Sequence, residues 1–327
     1  MTTALEARAG LIDAQHEGAL RLFNGFYEGD PHLVVDLYAR TLVIFNHAEP
    51  HETGEAAAQT AQEFFLSHIP WVEAVVTKTR YADNLGARHG ALVYGEKPDR
   101  RVREHGTWYA IDLMIAQDAS LYLDTRLLRL WAMQNLAGKS VLNTFAYTGS
   151  LGVAARAGCA TTVVHLDLSR KFLNIAKTSY TLNGFPIHKA DFQAGDFWTQ
   201  TSRARRAGES YDCVILDPPF FSVTPKGRVD LAGDSARLIN KVRPLVNRGG
   251  YLVAVNNALF ISGADYLRTL EELCADGYLA IEELIPVPDD VTGYPHTIHR
   301  SPPVDPAPFN HSTKIAILRI LKRSSHG

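Results

Sequence analysis

The sequence contains few cysteines, no long apolar run and almost no net charge. Its three cysteines, Cys159, Cys213 and Cys274, lie far apart in apolar segments. An odd, scattered set of this kind argues against a disulfide framework and predicts reduced core thiols of a cytoplasmic protein. No apolar stretch approaches the length of a membrane-spanning helix, and the N-terminus lacks the profile of a signal peptide. We therefore expect a soluble protein with no membrane partner.

Neither sign of charge dominates. The 33 lysines and arginines and 35 carboxylates leave a formal net charge of −2 over 327 residues. Contact with nucleic acid would therefore depend on a local basic patch rather than on the field of the whole protein. Three local basic groups are available. Two fall in predicted loops, Lys97, Arg100, Arg101 and Arg103 in one and Arg203, Arg205 and Arg206 in another, and the third, Lys226 with Arg228, lies beside the end of the strand predicted over residues 212–216. Such runs are usually solvated loops, and phosphate contact is the functional alternative.

The first third of the chain has the pattern of a small α+β unit, which we take as a domain over residues 1–125. Helical spacing of leucines predicts an amphipathic helix over residues 3–24, and residues 33–36 and 41–45 predict a hairpin. A second helix is expected over residues 55–67. Further strands are expected over residues 74–80, 91–94 and 107–113, and an exposed loop over residues 96–105.

From Ser140 onward, apolar strands alternate with helices, which predicts a mainly parallel sheet covered on both faces. The predicted strands cover residues 141–147, 162–168, 191–195, 212–216, 250–256, 280–287 and 313–321. The predicted helices cover residues 151–158, 169–182, 231–246 and 264–276. The last two strands have no room for a crossover helix, so the final strand should be antiparallel. The fold class is thus α/β, with a Rossmann-like seven-stranded sheet over residues 126–327, preceded by the small α+β domain.

The apolar run that ends at Leu216 leads directly into Asp217, Pro218, Pro219, Phe220 and Phe221. A buried strand that delivers a carboxylate, two rigid prolines and two aromatic rings to its tip is typical of a site for a flat substrate. The proline carbonyls can act as outward acceptors, because proline fixes φ and carries no N–H. The alternative is a Pro-rich connecting loop, since short motifs have a high false-positive rate.

A second candidate site follows the first strand of the sheet, in the turn from Asn143 to Gly152. Gly149 and Gly152 would allow a tight turn and close approach to a ligand. The turn lacks the three-glycine dinucleotide pattern, and Phe145 and Tyr147 fill the space that a pyrophosphate would need. A nicotinamide or flavin dinucleotide is therefore disfavoured.

The next two strands end in carboxylates. Asp167 could accept both hydroxyls of a ribose, Asp196 could accept from an adenine amine, and Phe197 could pack on the adenine ring. Adenosine without a diphosphate points to S-adenosylmethionine. The alternative is that both carboxylates merely cap the following helices.

Together these motifs resemble the class I S-adenosylmethionine-dependent methyltransferases that modify large-subunit ribosomal RNA, over a stretch from about Leu33 to the C-terminus. Residues 33–38 and 121–126 are similar to that family's pre-catalytic β segment and to its linker past the cofactor. The resemblance implies an S-adenosylmethionine site that contains Tyr122, Asp124, Arg126, Asn143, Phe145, Tyr147, Thr148, Gly149, Asp167, Leu168, Ser169, Asp196, Phe197 and Asp217.

Cytosine-C5 members of this family use a cysteine nucleophile after the fifth strand. The corresponding stretch here, residues 254–260, contains no cysteine but an asparagine pair, Asn256 and Asn257, which resembles the guanine-N7 branch. We assign Asp217 and Asn256 to orienting the base, with bridging of backbone groups in a turn as the alternative for the asparagines. The catalytic set implied is Asp217, Pro218, Pro219, Phe220 and Asn256. The substrate-binding set is Phe221, Lys226, Arg228 and Asn257.

The resemblance implies an RNA substrate, with ribosomal RNA as the first candidate. The family usually carries an N-terminal RNA-binding module, whereas about thirty residues precede the β segment here. Local basic groups would have to recruit the RNA, and Lys226 and Arg228 are the best placed. Methylation of a small molecule or a protein, and binding without catalysis, stay open as alternatives, as does an oligomer. His296, His299 and His311 match no usual zinc spacing, so no metal is expected.

Overall fold

The computed structural model describes residues 1–321 and divides into two compact units. Unit 1 comprises Met1–Asp124 and Pro288–Ser301, and unit 2 comprises Thr125–Val287 together with the residues from 302 onward. The predicted domain boundary lies after residue 125. The two units divide after Asp124, and residues 288–301 also belong to unit 1. No helix within residues 1–321 is both long enough and apolar enough to cross a membrane.

Unit 1 is built on a five-stranded sheet whose strands lie side by side in chain order. Its strands are β1 Ala19–Asn24, β2 Leu33–Tyr38, β3 Thr41–Asn46, β4 Ala74–Thr79 and β5 Ala91–Tyr94, and a separate hairpin pairs β6 Arg101–Glu104 with β7 Thr107–Ala110. Its helices are α1 Thr2–Arg8, α2 Gly25–Glu28, α3 Glu55–His68, α4 Leu85–His89 and α11 Asp289–Thr292. The predicted hairpin of β2 and β3 and the helix α3 are confirmed.

The helix predicted over residues 3–24 is wrong beyond its first turns. Asp13 accepts backbone N–H groups from Gln15, Glu17 and Gly18 at 2.8–3.1 Å, which ends the helical path. The following leucines belong to β1, which pairs antiparallel with β2 and is buried there. The pairing of β1 with β2 thus outweighs the helical spacing of the leucines, because local helix propensity is small compared with tertiary contacts.

The exposed loop predicted over residues 96–105 is also partly wrong. Residues 101–104 form β6, in which Val102 is completely buried while Arg101 and Arg103 point outward. Both guanidinium groups lie over the Trp108 ring of β7, at 4.4 and 5.5 Å from its centroid. The arginines therefore cover an aromatic surface as well as facing solvent.

Unit 2 contains a seven-stranded sheet. Its strands are β8 Ser140–Thr144, β9 Thr162–Asp167, β10 Phe192–Ala194, β11 Tyr211–Leu216, β14 Val246–Asn256, β15 Leu279–Ile285 and β16 Lys314–Ile320. A small hairpin joins β12 Phe221–Thr224 to β13 Gly227–Asp230. The helices are α5 Arg126–Asn135, α6 Ser150–Ala157, α7 Arg170–Leu182, α8 Phe197–Arg206, α9 Ser235–Val242 and α10 Gly263–Cys274.

The order of this sheet is β10-β9-β8-β11-β14-β16-β15. Neighbours from β10 to β14 are parallel, while β16 is antiparallel to both β14 and β15. The predicted α/β fold with an antiparallel last strand is therefore confirmed. The chain order reverses between β8 and β11, and ligands of open α/β sheets bind at the carboxyl ends of the strands at such a switch point.

Several predicted bounds in unit 2 need correction. The helix expected over residues 231–246 is confined to α9, because residues 231–234 form a turn after the hairpin, residues 243–245 form a short 3-10 helix, and β14 begins at Val246. Helices α5 and α8 were not predicted. The basic group Arg203, Arg205 and Arg206 accordingly lies in the last turn of α8 rather than in a loop.

Helix α6 can approach the sheet closely because of a glycine. A Cβ on Gly152 would lie 2.4 Å from Cε1 of His165 in β9. The His165 ring cannot easily move aside, because it stacks on Phe192 with the ring centroids 5.0 Å apart and its Nε2 lies 3.1 Å from the Tyr180 hydroxyl. Burial also lowers the pKa of His165 to about 3, so the ring is neutral in the folded protein. The contact supports a packing role for Gly152, and its expected approach to a ligand stays a prediction.

This packing predicts the effect of Gly152→Ala. In an unconstrained helix the change would stabilise by up to about 1 kcal/mol, but here the added methyl group collides with a fixed ring. We expect the free energy of unfolding to fall by about 1–3 kcal/mol, as measured by urea unfolding. Gly10→Ala is the control, since a Cβ there meets no atom within 4 Å. Equal stability of the two variants would contradict the packing role.

Candidate active site

The candidate site of unit 2 begins where β8 and β11 lie side by side. The Thr144 hydroxyl donates to the Ile215 carbonyl at 2.7 Å and ties the two strand ends together. Asn143 lies opposite Ile215 in the parallel register. Its side chain is buried, and Nδ2 finds no acceptor among residues 1–321. The strands therefore bring the glycine turn and the Asp217 segment to one edge, as predicted.

The turn after β8 has an unusual backbone. Phe145 and Tyr147 both have a φ of 51°, and Gly149 has a φ of 80°. Positive φ is uncommon for aromatic residues and persists only where the surroundings enforce it. Here the rings are anchored, because Phe145 stacks on Phe197 at 4.5 Å and Tyr147 meets Phe172 edge-on at 4.4 Å. The turn is thus held in one shape.

Asp167, at the carboxyl end of β9, organises the neighbouring turns. Its Oδ2 accepts the Tyr147 N–H and its Oδ1 accepts the Ser169 N–H, both at 2.8 Å. Its backbone carbonyl accepts the Gly195 N–H at 2.9 Å. Burial raises the pKa of this carboxyl, and the two N–H donors oppose that shift. Because each carboxylate oxygen has a further lone pair, the fixed group fits the two hydroxyls of a ribose.

The residues predicted to bind the cofactor around Asp167 lie in the turns after β8 and β9. Leu168 is 66% exposed, and the Ser169 hydroxyl caps α7 by accepting the Phe172 N–H at 3.4 Å. Thr148 is buried in the turn. Gly149 is the N-cap residue of α6, and a Cβ there would lie 2.5 Å from the Ala176 Cβ of α7. The residues present therefore fit S-adenosylmethionine, and the individual cofactor contacts stay predictions.

Asp196 and Phe197 follow β10, as predicted. Much of the hydrogen-bonding capacity of the Asp196 carboxylate is already used. Asp196 accepts from the Thr199 N–H at 3.0 Å, which caps α8, and from the Thr224 hydroxyl at 2.6 Å. Burial alone would raise the pKa of Asp196, but these hydrogen bonds outweigh it and hold the pKa below its usual value. Phe197 is only 6% exposed. The geometry favours the capping alternative for Asp196 and a core role for Phe197.

The segment after β11 presents the predicted aromatic pair. Asp217 is partly buried and Pro218 is buried, whereas Pro219 is exposed. Phe220 and Phe221 are 47% and 54% exposed, respectively. Exposed aromatic side chains three and four residues after a carboxylate offer faces on which a planar ring can stack.

The two asparagines after β14 differ in their surroundings. Asn256 is buried, donates to Ser235 Oγ at 2.9 Å and Leu231 O at 3.3 Å, and accepts the Ala258 N–H at 2.9 Å. These bonds favour the bridging alternative for Asn256, and its assignment to orienting a base stays a prediction. Asn257 donates to the Pro218 carbonyl at 3.4 Å, and its Oδ1 accepts no hydrogen bond from residues 1–321.

The remaining predicted residues are distributed over both units. Lys226 is exposed at the turn of the β12–β13 hairpin, and Arg228 pairs with Asp230 at 3.2 Å. Tyr122 and Asp124 belong to unit 1, whereas Arg126 begins α5 in unit 2, and their cofactor role stays a prediction. Residues 1–321 contain no group of three metal-ligating side chains.

Sequence reasoning missed the hairpin and its contacts with α8. The Thr224 hydroxyl bond to Asp196 and the packing of Gly227 on Trp198 were not foreseen. The alternation of apolar and polar residues over 221–224, followed by Pro225, Lys226 and Gly227, is the hairpin signal that could have been used.

Comparison with known proteins gives this site its context. Residues 70–291 match the family model described as S-adenosylmethionine-dependent methyltransferase. The chain is 32% identical over 237 residues to ribosomal RNA large subunit methyltransferase I of Serratia proteamaculans, covering 72% of this chain and 59% of that protein. It is 30% identical over 257 residues to ribosomal RNA large subunit methyltransferase K/L of Colwellia psychrerythraea, covering 76% and 35%. The chain thus spans less than two thirds of either curated relative.

Solved structures show the same fold. SMU.776, a candidate methyltransferase complexed with SAH, superposes with a TM-score of 0.80 at 22% identity, over 98% of this chain and 80% of that one. A SAM-dependent methyltransferase from Agrobacterium tumefaciens superposes with a TM-score of 0.60 at 19% identity, over 89% and 88%. Together with the family match, these comparisons confirm the predicted fold and cofactor. The chain belongs to the S-adenosylmethionine-dependent methyltransferase family.

Proposed function

We propose that this chain transfers a methyl group to a base nitrogen of structured RNA in the cytoplasm, with guanine N7 of large-subunit ribosomal RNA as the first candidate acceptor. The names of the two relatives, both ribosomal RNA large subunit methyltransferases, support an RNA acceptor. The free thiols of all three cysteines fit a reducing compartment.

The observation that carries the proposal is the exposed aromatic pair Phe220 and Phe221 next to the Asp217 carboxylate at the switch point. A base can stack on an aromatic ring with a gain of about 1–3 kcal/mol, and a carboxylate can accept its N–H groups. A single-stranded or extruded nucleotide offers both features.

The stretch after β14 supplies no cysteine thiol, and this supports a nitrogen acceptor. Methylation of cytosine C5 requires a cysteine nucleophile, and the stretch 254–260 after β14 contains none. Cys213 lies in the middle of β11, where burial raises its pKa and keeps the thiol protonated. A ring nitrogen already has a lone pair, so it needs orientation and exclusion of water rather than covalent activation.

In this proposal each residue has a limited task. S-adenosylmethionine, when bound, supplies the electrophilic methyl group. Asp167 holds the ribose of the cofactor, Asp217 orients the acceptor base, and Phe220 or Phe221 stacks on it. Asn257 replaces Asn256 as the amide that faces the base, because the polar atoms of Asn256 are engaged by Leu231, Ser235 and Ala258.

The direct test uses methyl-radiolabelled S-adenosylmethionine with RNA from cells that lack the gene, followed by digestion to nucleosides. We expect label on a guanine nitrogen, and a rate about 100-fold lower for Asp217→Asn because the base loses its orienting partner. Asp276→Asn is the control, since that carboxylate pairs with Arg243 away from β11. Label that enters only protein or small molecules would contradict the RNA proposal.

The asparagine pair gives an independent prediction. Asn256→Ala leaves buried groups of Ser235, Leu231 and Ala258 without partners, so the free energy of unfolding should fall by about 1–3 kcal/mol. Asn257→Ala should change that free energy by less than about 1 kcal/mol, because it loses one long hydrogen bond, and should slow methyl transfer. Urea unfolding and transfer assays on both variants measure this. If Asn256→Ala kept full stability and lost transfer, the base-orienting assignment would return.

A further inference from the structure

Three elements of unit 2 meet at Trp198 on α8. Gly227 of the hairpin packs directly against the indole, since a Cβ there would lie 2.5 Å from Nε1. From α9, the Arg237 guanidinium lies 4.6 Å and the Lys241 ammonium 6.0 Å from the ring centroid. An aromatic face favours cations over it. We call Trp198 with Arg237, Lys241 and the neighbouring Arg205 the Trp198 platform.

The platform is fixed in place by hydrogen bonds. Lys241 donates to the Ser202 hydroxyl at 2.6 Å, which links α9 to α8. The Thr224 hydroxyl donates to Asp196 at 2.6 Å, which links the hairpin to the start of α8. Arg237 likewise donates to Asp234 at 3.3 Å. Lys241 and Arg237 are therefore held before any partner arrives, which reduces the entropy that binding would cost.

The charge around the platform is positive although the whole chain carries −2. Helices α8 and α9 and the hairpin carry seven lysines and arginines, against Asp230 in the hairpin and the carboxylates Asp196 and Asp234 at the N-cap positions of the two helices. Burial and the nearby Arg205 and Arg237 lower the pKa of Lys241. The repulsion between these like charges falls when an anion binds between them.

The hairpin connects this positive surface to the candidate active site. It begins four residues after Asp217, at the exposed Phe221, and its turn carries Lys226. Aromatic side chains followed by a basic track are what single-stranded RNA requires, because bases stack on the former and phosphates pair with the latter. A guanidinium stacked on an indole keeps its N–H edge available for phosphate oxygens.

We propose that the Trp198 platform, together with Lys226 of the hairpin, binds the RNA phosphates that flank the methylated nucleotide. The inference rests on the proposed RNA substrate and assigns it a path, from the aromatic pair along the hairpin to α8 and α9. Recruitment of RNA then uses unit 2 itself, and the global charge of the chain need not be basic.

The test compares the double variant Arg237→Gln, Lys241→Gln with the matched control Arg268→Gln. Arg237 and Arg268 are both exposed helical arginines that pair with an aspartate three residues earlier, at 3.3 and 3.2 Å. The probe is a fluorescently labelled single-stranded RNA 20-mer, titrated at several salt concentrations. We expect the double variant to bind about tenfold more weakly, and the salt slope of log Kd to fall by about 0.7 for each lost phosphate contact.

The two proposals fail in different ways. If the wild-type protein methylates RNA but the double variant binds the 20-mer with the affinity and salt slope of Arg268→Gln, the platform proposal is wrong and the proposed function stands. If the wild-type protein neither binds nor methylates RNA, both are wrong. Affinity for S-adenosylmethionine serves as the folding check. Lys226 is exposed in the hairpin turn, so Lys226→Gln should not affect the core. The platform proposal requires that this variant also binds the 20-mer more weakly than the wild-type protein does.

Discussion

The active-site edge of unit 2 depends on the hydrogen bonds that converge on Asp167. Its carboxylate accepts N–H groups from Tyr147 and Ser169, and its carbonyl accepts the Gly195 N–H. These bonds connect the turns after β8, β9 and β10, so one residue sets the shape of three loops. The positive φ of Tyr147 is tolerated because its N–H is fixed in this way. A carboxylate held by backbone donors is also ready to accept hydroxyl groups without rearrangement.

The opposite half of the edge is organised by a different set of contacts. The Asn257 amide reaches the Pro218 carbonyl, and the buried Asn256 joins the end of β14 to Leu231 and Ser235. The Lys314 ammonium, buried in β16, donates to the Ala258 carbonyl at 3.0 Å and supports the same loop. Hydrogen bonds therefore hold together the loops that follow β11 and β14. The exposed rings of Phe220 and Phe221 belong to the first of these segments.

The sequence predicted the parts that depend on local pattern. Apolar runs that stop at Asp167 and Asp217 marked strand ends, and the missing crossover helix marked the antiparallel last strand. Features that depend on distant partners were not predictable. Part of the helix expected over residues 3–24 is replaced by β1 because that strand pairs with β2, Asn256 bridges residues from another segment, and Trp198 gains its cations from α9. A single sequence does not contain those pairings in a form that periodicity can detect.

We propose that Asp167, rather than Asp196, holds the adenosine part of the cofactor. Calorimetric titration of S-adenosylmethionine into the wild-type protein, Asp167→Asn and Asp196→Asn tests it most directly. Loss of charged hydrogen bonds worth about 1.5–3 kcal/mol predicts that Asp167→Asn binds about 10–150-fold more weakly. Asp196→Asn should stay within about threefold of wild type, a difference below about 0.7 kcal/mol, because its oxygens serve α8 and Thr224. Wild-type affinity in Asp167→Asn, with the loss appearing in Asp196→Asn instead, would contradict the account.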